Sequence, residues 1–134
     1  MKVVQPPDWP KPRGYSNGLL VSPGQAILFI AGQIGWNNQG QIVGEDFTAQ
    51  FEQALTNLLT VAREAGGDAS SIVKLTIFVT DTTVYNEARE ALGEVYRRLM
   101  GRHYPAMTLV QVSALLEPGA KVEIEGVAAI RVGE

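Results

Sequence analysis

The chain has 134 residues, 46% of them hydrophobic and 19% charged, a balance that fits one globular domain spanning residues 1–134 with a sizeable core. It has no cysteine and a single histidine, His103, which excludes disulfides and thiolate chemistry and argues against a metal site. A formal net charge of -3 argues against nucleic-acid binding through a basic patch, and no run reaches the roughly 20 apolar residues of a membrane helix. The N-terminus carries no hydrophobic signal core, so a cytoplasmic protein is expected.

Residues 1–14 read as an extended arm, because Pro6, Pro7, Pro10, Pro12 and Gly14 exclude helix and central strand. Trp9 is read either as an anchor on a neighbouring subunit or as a loop residue on its own domain. A short strand at 19–21, a turn over Ser22-Pro23-Gly24-Gln25 and an apolar strand at 26–31 (AILFIA) together predict a hairpin. Gly32 to Trp36 follows, then a polar loop.

Residues 47–65 are a predicted helix, with Phe47, Phe51, Leu55, Leu58, Leu59 and Ala62 on one stripe. Asp46 caps its start and Gly66-Gly67 ends it. Residues 72–80 (IVKLTIFVT) are a strand rich in β-branched side chains. Asp81 caps a second helix over 84–100, whose stripe is Tyr85, Ala88, Leu92, Val95, Tyr96 and Leu99. Gly93 lies inside that helix and weakens it slightly.

Two more strands follow at 107–112 and 121–131, joined through a turn at Pro118-Gly119. The order is ββαβαββ, and the simplest α+β solution packs both helices on one face of a sheet. In the last strand Val122, Ile124, Ala128 and Ile130 point one way, and Glu123, Glu125, Val127 and Ala129 the other. That second, half-apolar face needs a cover. The chain has no third layer left, so self-association is expected.

Six motifs in order along the chain resemble the Rid family (YjgF or L-PSP-like proteins). They are GYSNG at 14–18, AGQIG at 31–35, EAGG at 64–67, VKLTIFVTD at 73–81, YPAM at 104–107 and EPGAKVEIEGVA at 117–128. The resemblance implies a chorismate-mutase-like α+β fold, a homotrimer, and small-molecule clefts between subunits. It also implies hydrolysis of reactive enamines and imines with release of ammonia, and no cofactor. By position, the family's tyrosine falls on Tyr15, its backbone-donating glycine on Gly32 and its strand glutamate on Glu123. Glu123 would then activate water or move a proton at the imine nitrogen, with Tyr15 orienting water or ligand. Glu125 shares a face with Glu123 and is an alternative for the acting carboxylate.

The arginine of the family's PAR[ST] motif falls on Met107. A guanidinium grips a carboxylate through two charge-assisted hydrogen bonds, whereas methionine offers no donor and a flexible apolar wall. Met107 and Leu109 share one face of their strand and are expected to line the substrate pocket together. Arg13 or His103 is expected to meet an anionic group in place of the missing arginine. Trp36 is read either as a stacking surface for a planar ligand or as loop packing. The leading functional reading is a deaminase-like hydrolase with a non-archetypal substrate, for which the resemblance suggests 2-aminomuconate as one candidate. The alternative is a non-catalytic, regulatory ligand-binding homotrimer. A third reading, the endoribonuclease or translation-inhibitor activity attached to the family name, fits the acidic composition least.

Overall fold

The structure is a computed structural model that describes residues 1–132. Its strands are β1 (Lys2–Val4), β2 (Gly18–Leu20), β3 (Gln25–Ile34), β4 (Ile72–Val79), β5 (Ala106–Gln111) and β6 (Val122–Arg131). The α-helices are α1 (Phe47–Glu64), α2 (Thr82–Glu87) and α3 (Arg89–Met100), and a short 3-10 turn at Ala69–Ser71 leads into β4. Four strands form the main sheet in the order β3-β6-β4-β5.

Helix α1 follows from its sequence. The Asp46 carboxylate accepts from the Ala49 N–H at 2.9 Å, satisfying one of the free donors of the first turn. At the other end Gly66 takes φ 91°, and the Gly67 N–H returns to the Ala62 carbonyl. The predicted stripe is the buried face, with Leu55, Leu58 and Leu59 fully enclosed against Leu75, Ile77, Val122 and Ile124 of the sheet. Burying each such leucine contributes on the order of 1.5–3 kcal/mol. Gly126 lets α1 approach β6, since a Cβ there would lie 3.0 Å from Leu58 Cδ1 and 3.1 Å from the Lys74 carbonyl. Buried Gln50 fixes the start of β6. Its amide donates to the Gly44 and Gly119 carbonyls at 2.7 and 3.0 Å, and its oxygen accepts from the Lys121 N–H at 2.8 Å.

The structure corrects three local expectations. The 19–21 and 26–31 strands do not form a hairpin. β2 pairs with β1 in a separate two-stranded sheet, so the arm is not extended coil throughout, while β3 runs antiparallel to β6. The long ladder with β6 outweighs the three residues that β2 could offer. The second helix is two helices, broken at Ala88, where φ is -92° and ψ 3°. With that break, α2 sets Tyr85 edge-on to Phe47 at 6.4 Å. Finally, β5 and β6 are not neighbours. β4 lies between them, antiparallel to β6 and parallel to β5. A parallel pair needs a long crossover, which α2 and α3 supply.

All three α-helices contribute to the core on one face of the sheet. The opposite face is bare: Ile27, Phe29 and Val110 are 45%, 78% and 39% exposed.

Candidate functional site

Two groups of predicted residues come together, on opposite faces of the sheet. The first is on the bare face. The pairing of β3 with β6 shifts register between Ile30 and Gln33, beside Gly32. Such a bulge re-aims the strand locally. The Glu123 side chain lies across Gly32, where an added Cβ would be 2.8 Å from the Glu123 carboxyl carbon. Glycine at 32 is therefore the space in which the carboxylate sits. Register places Phe78 beside Glu123 and Val110 beyond it, so all three share the bare face. Glu125 is exposed on that face, next to Thr76, and Lys74 Nζ donates to Thr108 Oγ1 at 2.6 Å nearby. Among the described residues no cation stands within 4 Å of Glu123 or Glu125.

The second group lies at the β5 edge, on the helical side. Met107 pairs with Leu75, whose side chain is buried under the helices, so Met107 faces them too. It lines a cleft of about 320 Å³. Phe51, Ile77 and Leu92 form the rest of its apolar wall. Tyr85, Tyr96 and Tyr104 add aromatic surface, and Arg89 and Arg97 of α3 add positive charge. Tyr96 and Tyr104 stack at 5.8 Å, and Tyr96 donates to the His103 carbonyl at 3.1 Å. Burial, then the neighbouring Tyr104, pushes the Tyr96 hydroxyl well above its ordinary pKa, so it stays protonated and keeps that donor.

Tyr15 is carried to this edge by Ser16. The Ser16 N–H donates to the Pro105 carbonyl at 3.1 Å, its hydroxyl donates to the Tyr104 carbonyl at 2.5 Å, and its backbone bridges Ala106. That stitch puts Gly14 in the wall of the Met107 cleft, and Tyr15, the next residue along the chain, is 40% exposed. Leu109 points the same way as Met107 and, like it, packs against the core, but it does not line the cleft. Arg13 is exposed, with no carboxylate within 4 Å among the described residues.

His103 and Trp36 are placed elsewhere. His103 Nε2 meets the Ile72 carbonyl at 2.6 Å, so that nitrogen is the donor and ties the loop to the start of β4. The ring borders a different hollow, beside Ser70 and Arg102. Trp36 follows β3, on the far edge of the sheet from β5, where Asn57 of α1 donates to its carbonyl at 2.8 Å. In one chain neither residue reaches Met107. Arg89 and Arg97 are the residues that sequence reasoning missed. Their signal was the spacing Arg89-Gly93-Arg97, which sets all three along one side of a helix. No group of three or more His, Cys, Asp or Glu able to hold a metal occurs among the described residues, and no described helix is long and apolar enough to cross a membrane.

A mixed sheet with helices on one face and a glycine-seated glutamate on the other defines an α+β protein of a recognisable class. The sequence profile of the family described as Endoribonuclease L-PSP matches residues 10–130. The 2-iminobutanoate/2-iminopropanoate deaminase of Homo sapiens is 33% identical over 115 residues, covering 85% of this chain and 78% of that one. A RutC family protein of Aquifex aeolicus is 35% identical over 129 residues, covering 96% and 98%. The crystal structure of YyfB from Yersinia pestis, a protein of unknown function of the conserved Rid family, superposes with a TM-score of 0.84 at 31% identity, covering 96% and 98%. The chain belongs to the L-PSP, or Rid, family.

Proposed function

We propose that the protein hydrolyses an enamine or imine to a carbonyl compound and ammonia, as a homotrimer with its clefts between subunits and without a cofactor. The observation that carries this reading is Glu123, seated across Gly32 on the bare sheet face with no cation within 4 Å among the described residues. A carboxylate so placed suits proton transfer. Protonation at carbon with loss of a proton from nitrogen converts an enamine to its imine. Water adds to the imine carbon and a proton passes from that oxygen to nitrogen. The C–N bond then breaks, leaving the carbonyl and ammonia. Two further observations support the reading. Relatives at about a third identity carry the imine deaminase name. The exposed Phe29 and Ile27 also give a second copy an apolar surface to cover. In this reading the Glu123 face of one subunit meets the β5 edge of the next, so Tyr15 and Met107 of the neighbour complete the cleft.

Met107 alters the substrate. A small 2-imino acid whose carboxylate lay against Met107 would lose a charge-assisted pair and be left with an apolar wall. The experiment measures ammonia release from 2-aminoacrylate and from other imines generated in solution, with wild type, Glu123→Gln and Met107→Arg. We expect slow turnover of 2-aminoacrylate, an increase on Met107→Arg, and near-complete loss on Glu123→Gln. Wild-type turnover equal to that of an arginine-bearing relative would overturn the role given to Met107. Failure to turn over any imine, with small-molecule binding retained, would favour the regulatory trimer instead.

A further inference from the structure

A second hollow, of about 580 Å³, lies at the other edge of the sheet, between the end of β3 and the outer face of α1. Trp36 and the amides that flank it form one wall, and Gln53, Thr56 and Thr60 of α1 the other. None of its lining residues is ionisable. The sequence marks the place as unusual. The exposed face of a helix ordinarily carries charge. Between Glu52 and Arg63 α1 carries none, and its unburied positions include Thr56, Asn57 and Thr60, all weaker helix formers than lysine or glutamate. The facing segment is equally neutral, with no charged residue between Arg13 and Glu45.

The hollow has a fixed frame. Gly35 sits against α1, where a Cβ would lie 2.7 Å from Gln50 Cα, so only glycine lets the chain come this close. Asn57 donates to the Ile34 and Trp36 carbonyls at 3.2 and 2.8 Å, and its oxygen accepts from Gln53 Nε2 at 2.8 Å. Asn37 Oδ1 accepts from the Gln39 and Gln41 N–H groups at 2.9 and 3.1 Å. These bonds hold the backbone on both sides of Trp36 and leave that residue 38% exposed on the hollow. Gln53 Oε1, Asn37 Nδ2 and the Thr56 hydroxyl bond to no described residue, which leaves acceptors and donors for a ligand.

We propose that this hollow binds a neutral saccharide, one face of the sugar ring laid on Trp36 and its hydroxyls held by the amides and threonines around it. A pyranose has a face of C–H groups whose partial positive charge suits the negative face of an indole. Its rim of hydroxyls both donates and accepts, as the amides and hydroxyls of the hollow do. The uncharged lining gives a phosphate or carboxylate no counter-charge. A flat heterocycle would need apolar walls against both of its faces, and the wall opposite Trp36 is polar. The hollow shares no residue with the Met107 cleft, and the inference goes beyond the hydrolase reading.

The chain has two tryptophans, so Trp9→Phe leaves Trp36 as the sole indole reporter. In that full-length protein the methyl pyranosides of glucose, galactose and mannose are titrated against indole fluorescence, with adenosine as the flat comparison. At least one glycoside is expected to change the emission saturably, and adenosine to bind more weakly. By calorimetry on the wild-type background, Trp36→Ala is expected to weaken that glycoside at least tenfold. Thr56→Val removes one hydroxyl and keeps the shape, and is expected to weaken it roughly fivefold. Valine and threonine have similar helix propensity, so Thr56→Val remains a fair probe even if Trp36→Ala fails to fold. Neither variant should change the mass seen by light scattering. No binding of any of the three glycosides, binding untouched by both substitutions, or tighter binding of adenosine would overturn the proposal. An altered mass for Trp36→Ala would also overturn it, by making the hollow a contact between copies.

Discussion

The two faces of the main sheet are built from alternate residues of the same strands, yet they are under different demands. Leu75, Ile77, Val122 and Ile124 are sealed under α1. Their immediate neighbours Phe78, Glu123 and Glu125 look the other way, onto a surface where Phe29 is 78% exposed. Because strand side chains alternate, one segment can carry stability on one set of alternate positions and chemistry on the other. The separation is testable: substitutions on the helical face should change folding, and substitutions on the bare face should change activity or assembly.

The largest effect is expected at Glu123. Replacing it with glutamine should reduce ammonia release by roughly 10²–10⁴, the usual contribution of a positioned acid or base, while the urea midpoint stays within experimental error. A large fall in stability would place Glu123 with the structural residues and break the comparison. On the opposite face, Leu58→Ala removes a fully buried side chain packed over Gly126. It should cost about 2–5 kcal/mol by denaturant titration, with the kcat per folded molecule unchanged.

Phe29→Glu separates the faces in a third way. The aromatic ring lies on the bare face and is not part of the core cluster, so its loss leaves no cavity within the chain. A charge there opposes apolar contact between copies. If the proposed trimer forms through this face, light scattering should report its mass falling to that of the monomer, with the far-ultraviolet circular dichroism of the folded chain retained. An unchanged assembly would mean that the bare face is not the interface.

What could be read beforehand follows the range of the interactions. The period of α1, its Asp46 cap and its glycine ending are local, and all three hold. The alternation of β6 is local too, with Ala129 also buried on the nominally open side. Pairing is not local. Ser22-Pro23-Gly24-Gln25 announces that the chain reverses but not which strand receives it, and β3 takes β6, a hundred residues on. Nor did anything local foretell the break at Ala88, since alanine is the strongest helix former. The same distinction governs the site. Gly32 and Glu123 could be placed by motif position, and the structure brings them into contact. Arg89 and Arg97 read as the solvated face of a helix until the cleft under them is seen. His103 drew attention as the single histidine, but its ring is engaged with the Ile72 carbonyl.

The smallest predicted effect is the most discriminating, because it falls where the helical side itself gives up stability. Gly93 is partly exposed on α3, and alanine there would favour the helix by up to about 1 kcal/mol. The added methyl would meet Arg97 Nη1 at 3.3 Å, the far end of a flexible side chain that can swing out to solvent. Gly93→Ala should therefore raise the melting temperature slightly, by the helix propensity regained. A fall instead would show that the Arg97 side chain cannot move aside, and that packing against it is what keeps the glycine.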